Sequence, residues 1–511
     1  MKFLVKRYMQ YFVDVFNKLL KHIVFPSSWK DGNLILFQKP GKKLTSAAAL
    51  RPIVLLPAIG KIFETLLINR IQERLRLNHY YSDAQHGFTK NKNTTSATNQ
   101  LIDHMKNAKR QLYGILISID FTSAFDTLEW NKIIKNITNA RLDESELAAA
   151  KELLMNRTVT YDDGCRRIRR NTETGCPQGS CASPELWLAG VNDLLKLLSM
   201  QANTEVIAFA DDVCIVLIER NKKRFKKLIN CTFEIINEWC AGSGVQLNLE
   251  KTTAVLLGRR EFNATIKFRG KIVRYDDRVK YLGMILQSDL KYSAHIDYIE
   301  QKSSKLVKLI HYANHLAGGL TIEQKTVIYR QVYLVSVLYG SEVWHPRLNS
   351  MQRAKLTSIQ RQAILAISGA YFSTNNKKLL NLLNFLDVND EIACQLECRG
   401  KDLDEKSAIR LSWLEKQKEK TDGEYTVPPT IEVKEFRRKE PMWFITAHGP
   451  FRHHRARFNP NNASLCRFCV RRLETAGHLL SDCTDLGKAE FSDTRSFELI
   501  CISIIQRLFK L

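Results

Sequence analysis

Residues 206–218 read VIAFADDVCIVLI, two adjacent aspartates with an unbroken apolar run on each side. Four to six consecutive apolar residues on either flank read as two buried strands, which leaves Asp211 and Asp212 at their connection. Like charges crowded beside a hydrophobic sheet repel, so that one of the two tends to hold a proton. A hard divalent cation such as Mg²⁺, bound through carboxylate oxygens, removes that penalty. Taken alone, the segment reads equally well as plain hairpin-turn aspartates, and on either reading it calls for two buried strands joined where acid is tolerated.

Two other D-D pairs lack those flanks. In TYDDGCRR the pair precedes Gly164 and an arginine-dense stretch, an Asp-Gly turn between two strands. In RYDDRVKY the aspartates Asp276 and Asp277 stand among basic residues, where solvated ion pairing accounts for them. The partner that Asp211 and Asp212 need comes from YGILISIDFTSAFD, a second buried-strand pattern that ends on Asp120. Two strands that each deliver acid to one edge can hold two Mg²⁺ ions about 3.5–4 Å apart, the arrangement that supports in-line phosphoryl transfer. Asp126, followed three residues later by Glu129, reads as a capping box at the start of TLEWNKIIKNI and therefore as structural.

Around these segments the texture changes along the chain. Residues 1–110 combine an amphipathic helix, with Phe12, Phe16, Leu19 and Leu20 on one face, and a hairpin candidate in LILFQKPGKKLT. Residues 111–290 alternate short apolar runs with helical patterns such as RFKKLINCTFEIINEWCAGSG, which closes on a glycine-bearing stop. That alternation predicts a sheet with helices packed on it, an α+β fold. Residues 291–370 return to helical periods, and 371–440 read as a charge-dense helix followed by a linker near TVPPT. Lys and Arg outnumber Asp and Glu by 77 to 53, a net charge of +24, which argues for a polyanionic partner, most simply nucleic acid. Twelve scattered cysteines with no secretory signal point to reduced thiols, and no apolar run is long enough to span a bilayer.

The order ISIDFTSAFD, GCPQGSCASP, AFADDV, GVQLNLEKT and YLGMIL resembles the palm of reverse transcriptases. More narrowly, it is similar to the enzymes of LINE-type (non-LTR) retrotransposons, including arthropod elements that insert into ribosomal RNA genes. The resemblance implies a right-hand polymerase with fingers at 1–110, palm at 111–290, a helical thumb at 291–370, a helical and linker region at 371–440, and a basic tail at 441–511. It implies a catalytic metal triad of Asp120, Asp211 and Asp212, with Lys251 as general acid to pyrophosphate. Phe125 would be the steric gate that excludes a 2′-hydroxyl. Gln178 would contact the incoming dNTP, and Lys39 and Arg51 would neutralise its triphosphate. Read from the residues alone, Phe125 is core packing, Lys251 an exposed strand-end lysine, and Ser183 before Pro184 a helix cap. Lys90 and Lys92 would follow template phosphates, and YLGMIL would form a primer-grip hairpin.

Cys466, Cys469, His478 and Cys483 form C-x2-C-x8-H-x4-C. Three thiolates and one imidazole make a closed tetrahedral site suited to one structural Zn²⁺. The preceding TAHGPFRHHRARF is basic with interleaved aromatics, as expected beside nucleic acid.

The resemblance implies an RNA-directed DNA polymerase working with an RNA template, a DNA primer or target, and dNTPs. The chromosomal substrate implies the nucleus, or a cytoplasmic ribonucleoprotein before it. No upstream endonuclease pattern precedes the fingers motifs, so the chain reads as the C-terminal part of a longer polyprotein or a gene fragment. The alternative is a catalytically silent, retrotransposon-derived nucleic-acid-binding protein; a group II intron maturase fits the zinc motif less well. RNKKRFKK at 220–227 reads either as a solvated helix face or as an import signal.

Overall fold

The apolar run YGILISI forms strand β3 (Tyr113–Ile119), in which Ile115, Leu116 and Ile117 are wholly buried. Burying side chains of this size stabilises by roughly 1.5–3 kcal/mol each. The computed structural model describes residues 6–39, 41, 43–45, 49–262, 265–315, 319–419, 432–433, 436, 439–451, 454–455, 464–483, 486 and 493–509. They divide into two compact units, Met1–Leu290 and Lys291–Leu511.

In the first unit, helix α1 (Met9–His22) precedes β1 (Asp31–Gln38) and β2 (Leu50–Leu55), an antiparallel pair with Phe37 opposite Arg51. Part of the turn between them lies outside the described residues. Helices α2 (Ala58–Leu77) and α3 (Thr94–Arg110) follow, the latter started by a reciprocal cap between Asn93 and Ser96. After β3 come the short β4 (Phe121–Thr122), α4 (Trp130–Thr138) and α5 (Glu144–Leu154). The hairpin β5 (Arg157–Asp162) and β6 (Arg167–Thr172) then pairs with β1, giving a four-stranded sheet ordered β2-β1-β5-β6. Sequence order alone assigns this hairpin to the central segment; its backbone completes a sheet begun more than a hundred residues earlier.

Helix α6 (Ser183–Met200), strands β7 (Thr204–Phe209) and β8 (Asp212–Glu219), and helix α7 (Lys222–Ser243) form the middle of the unit. Gly244 ends α7 in the left-handed region, as the glycine-bearing stop predicts. Strand β9 (Gln246–Leu247) pairs with β4, and β10 (Thr253–Leu256) with β3. A small hairpin, β11 (Lys267–Phe268) and β12 (Lys271–Ile272), leads to β13 (Arg274–Asp276). The central sheet is ordered β13-β10-β3-β8-β7, and α3, α6 and α7 pack on it. YLGMIL becomes the turn of an antiparallel pair, β14 (Arg278–Tyr281) and β15 (Met284–Gln287), with Leu282 and Gly283 both at positive φ. Two such residues make the tight turn that matches strand twist.

Both spare aspartate pairs behave as their flanks predict. Asp163 accepts the backbone N–H groups of Cys165 and Arg166 in the β5–β6 turn, and Asp276 and Asp277 pair with Arg274 and Arg278 at 2.9 Å.

The second unit is helical over Ser293–His315, Ile322–Ile328, Ser350–Ser368, Asn376–Leu383, Val388–Glu397 and Leu403–Glu419. Tyr329, Tyr333 and Phe385 stack inside it, with ring centroids 4.8–5.1 Å apart. The TVPPT linker and much of FRHHRARF lie outside the described residues. No described helix is long and apolar enough to cross a membrane.

Candidate active site

Asp211 and Asp212 stand at the β7–β8 connection. Phe209 pairs with Asp212, so the turn is only Ala210 and Asp211, and Ala210 takes a left-handed φ of 57°. On the other side β8 pairs with β3, Ile119 opposite Val213, which sets Asp120 next to Asp212 at the same sheet edge. The three carboxylates feel one another. Burial, then the charge of Asp120, raises the Asp211 carboxyl above the ordinary range. Burial, then the charges of Asp211 and Asp120, pushes Asp212 up to about 6. Lys251 opposes both shifts; its Nζ lies 3.2 Å from Oδ2 of Asp120. The loop carrying Lys251 is tied to the same residue, because Asn248 N–H donates to the Asp120 carbonyl at 2.8 Å.

The tight turn has a support that sequence reasoning missed. Gln85 Oε1 accepts the N–H groups of Ala210, at 3.0 Å, and of Gly87, at 2.9 Å. His86 N–H donates to the Ala208 carbonyl, so QHG runs as a short extension beside β7. A Cβ on Gly87 would stand 2.3 Å from the Ala210 nitrogen, so only glycine admits this approach. Lys92, expected on template phosphates, instead turns inward: its ammonium donates to the carbonyls of Asp83 and Gln85. Lys90 is exposed.

The segment from Asp120 to Asp126 carries a second group of residues. Phe125 lies on a single helical turn, Ala124–Thr127, and stacks on Trp187 with centroids 5.1 Å apart. Asp126 is not a helix cap. Glu129 occupies the cap position of α4 without a side-chain cap bond, and Asp126 Oδ1 instead accepts Gln178 Nε2 at 2.8 Å. Burial raises the Asp126 carboxyl, while the Gln178 bond and the charges of Lys39 and Arg51 pull it down. Lys39, just past β1, and Arg51, within β2, therefore converge on the same locality as Phe125, Asp126 and Gln178.

The Gln178 loop is fixed from beneath. Val54 N–H donates to the Gln178 carbonyl at 2.7 Å, and Gly179, at φ +119°, leaves no room for a Cβ against Val54 O. The wholly buried Glu64 accepts the Ser180 hydroxyl and the Cys181 N–H and pairs with Arg157. Ser183 is not the cap of α6 either: Ala182 holds that position, and the Ser183 hydroxyl donates to the Pro177 carbonyl, closing the loop.

In the second unit the ligand atoms of Cys466, Cys469, His478 and Cys483 lie within 4.8 Å of one another. Cys469 Sγ and His478 Nε2 are 3.2 Å apart, and Cys466 and Cys483 sulfurs 3.8 Å apart. Backbone N–H groups, first that of Arg471, lower Cys469 to about 6, whereas burial pushes Cys466 up to about 11. Glu474, wholly buried, pairs with Arg467 and braces the loop between the ligands. Three thiols and an imidazole at these separations suit a tetrahedral metal such as zinc.

Residues 37–286 match the family described as reverse transcriptase (RNA-dependent DNA polymerase). They are a reverse transcriptase domain. The Pol polyprotein of the type-1 retrotransposable element R1 from Bradysia coprophila is 27% identical over 362 residues, 70% of this chain and 36% of that protein. The RNA-directed DNA polymerase of the Drosophila melanogaster mobile element jockey is 25% identical over 395 residues, 75% of this chain and 42% of its own length. The probable polymerase of the X-element transposon, also from Drosophila melanogaster, is 25% identical over 77% of this chain and 43% of that protein. These relatives belong to the non-LTR class that the motif order resembles. The chain spans 34–44% of the length of the first relatives it matches. A telomerase from Candida tropicalis in complex with a TWJ fragment of telomeric RNA superposes with a TM-score of 0.41 at 12% identity, over 76% of this chain and 64% of that one.

Proposed function

We propose that this chain is the RNA-directed DNA polymerase of a non-LTR retrotransposon, extending a DNA 3′-hydroxyl on an RNA template with dNTPs. The observation that carries the proposal is the convergence of Asp120, Asp211 and Asp212 at one sheet edge, with Asp212 pushed up to about 6 by burial and like charge. Carboxylates so crowded are set to hold two Mg²⁺ ions, which when bound stabilise the attacking and leaving oxygens of phosphoryl transfer. Lys39 and Arg51 neutralise the incoming triphosphate. Phe125, held by Trp187, fills the space a 2′-hydroxyl would need, and Gln178, tethered by Asp126, lines the nucleotide's position. Lys251, once its hold on Asp120 is given up, is free to protonate the departing pyrophosphate. The Cys/His cluster holds one structural Zn²⁺. Fingers, palm and thumb follow the segments 1–110, 111–290 and 291–370, with the β5–β6 hairpin added to the fingers sheet. Work on a chromosomal target implies residence in the nucleus.

Primer extension on an annealed RNA template tests this reading. Asp211→Ala should abolish dNTP incorporation while RNA binding stays within about twofold of wild type. Extension by the purified variant would remove the assignment of the site. RNA binding without incorporation by the wild-type chain would favour the catalytically silent alternative.

A further inference from the structure

Helix α7 begins with a concentration of cations that helix stability does not explain. Arg220, Lys222, Lys223, Arg224, Lys226 and Lys227 are all exposed, and no acidic residue stands in the first turn. Positive charge there opposes the helix dipole, which favours Asp and Glu at an N-terminus. The N–H groups of Lys223 and Arg224 are already taken by the Asn221 side chain, so the feature is the charge itself.

Two other segments bring cations to the same place. Tyr113 stacks on Phe225 at 5.7 Å, and Phe262 meets Phe225 edge-on at 4.8 Å, which fastens the starts of β3 and α7 to the loop after β10. The N–H groups of Arg259 and Arg260 donate to the carbonyls of Gln111 and Leu112 at 3.0 Å. Exposed Lys109 and Arg110, at the end of α3, immediately precede that contact. Glu219 and Glu261 are the acids on these segments, and Asp289, whose backbone carbonyl accepts Lys109 Nζ at 2.7 Å, is a third beside them, against ten cations. Glu219 also receives the N–H groups of Arg220 and Asn221. Among the described residues, none of the six cations of α7 and its approach makes an ion pair.

This surface lies at the far end of the central sheet from the carboxylates. Strand β8 runs from Asp212 to Glu219, roughly 23 Å at the usual rise per residue. A template–primer end held at Asp120, Asp211 and Asp212 is therefore on the opposite side. We propose that the cationic end of the sheet is a second nucleic-acid surface, which grips phosphodiester backbone outside the template–primer track and without sequence preference. It takes from the polymerase reading only the location of the primer end. An import receptor reading an extended basic peptide fits less well, because Phe225 and Ile229 bury this stretch as helix.

The full chain and a variant with Lys222, Lys223, Arg224, Lys226 and Lys227 changed to Gln are titrated against a blunt RNA hairpin and a blunt DNA duplex over a range of KCl. The expected result is an affinity loss of at least about tenfold for one or both, and a salt slope shallower by about 2 to 4. Loss confined to the hairpin assigns the surface to RNA, loss confined to the duplex to DNA; either supports the proposal. Because the substitutions relieve a charge–dipole conflict, the variant's Tm should not fall, and extension of a short pre-annealed primer should be unchanged. Unaltered affinity and salt slope would overturn the proposal, as would loss of nuclear accumulation with nucleic-acid binding intact. A wild-type chain that binds both probes through these lysines but extends no primer would sink the polymerase reading and leave this one standing.

Discussion

Asp212 and Asp277 are the same residue type in the same D-D context, yet only the first is held where its charge is costly. Both are exposed, but Asp277 is paired with Arg278, whereas Asp212 sits against two further carboxylates. A folded-state carboxyl raised above its unfolded value contributes stability that is complete below the ordinary carboxylate range near ~4 and lost as pH climbs through about 6. The metal-free chain should therefore melt lower at pH 8 than at pH 5 on account of this group. Asp212→Asn should remove that part of the pH dependence and stabilise the metal-free chain by about 1 kcal/mol at pH 8, less than the full shift because Asp212 is open to solvent; thermal melts with chelator present check both. Gln85 is the residue-scale surprise. Losing its grip on the Ala210 N–H should let Asp211 drift, so Gln85→Ala should lower the primer-extension kcat by about 10–100-fold with little change in nucleotide KM or RNA affinity. Asp120, Asp211 and Asp212 were legible in the sequence because apolar runs on their flanks announce buried strands. Gln85 and Asp126 were not, because their partners lie 125 and 52 residues away and no local pattern encodes such bonds.

At the scale of elements, local chemistry carried the reading well where an element is closed by its own residues. The β14–β15 turn, the Gly244 stop and the Asp163 turn each depend on neighbours within a few positions. It failed where a side chain had a better distant partner than the nearby helix end. Asp126 and Ser183 both look like caps, and both serve the Gln178 loop. The β5–β6 hairpin was visible as a hairpin, but nothing local says that it joins β1 in parallel. If the Asp126–Gln178 bond positions the nucleotide side of the site, Asp126→Ala should raise the dNTP KM by about tenfold with a smaller change in kcat, whereas a mere capping role would lower Tm and leave KM unchanged. Steady-state kinetics on one template–primer separates these outcomes.

For the whole molecule, the sequence disclosed a basic chain with an acidic sheet edge and a Cys/His motif, but not where the surplus charge lies. Charge totals carry no geometry; the aromatic cluster of Tyr113, Phe225 and Phe262 is what gathers part of the surplus at one place. The second unit was legible as helices and as a ligand spacing, because the four ligands are close in sequence as well as in space. If they hold zinc, metal analysis should find one ion per chain, and chelation should make Cys466, Cys469 and Cys483 reactive toward a thiol reagent. Cys466→Ser should lower the metal content to near zero.

On the polymerase reading, the three carboxylates delivered by β3 and β8 are crowded because a divalent cation binds among them. Mn²⁺ binding followed by electron paramagnetic resonance at pH 5 and pH 8, on the wild-type chain and on Asp120→Asn and Asp211→Asn, tests it most directly. Binding should be markedly tighter at pH 8, as Asp212 gives up its proton, and each substitution should weaken it at least about tenfold. Binding indifferent to pH and to both substitutions would contradict the claim.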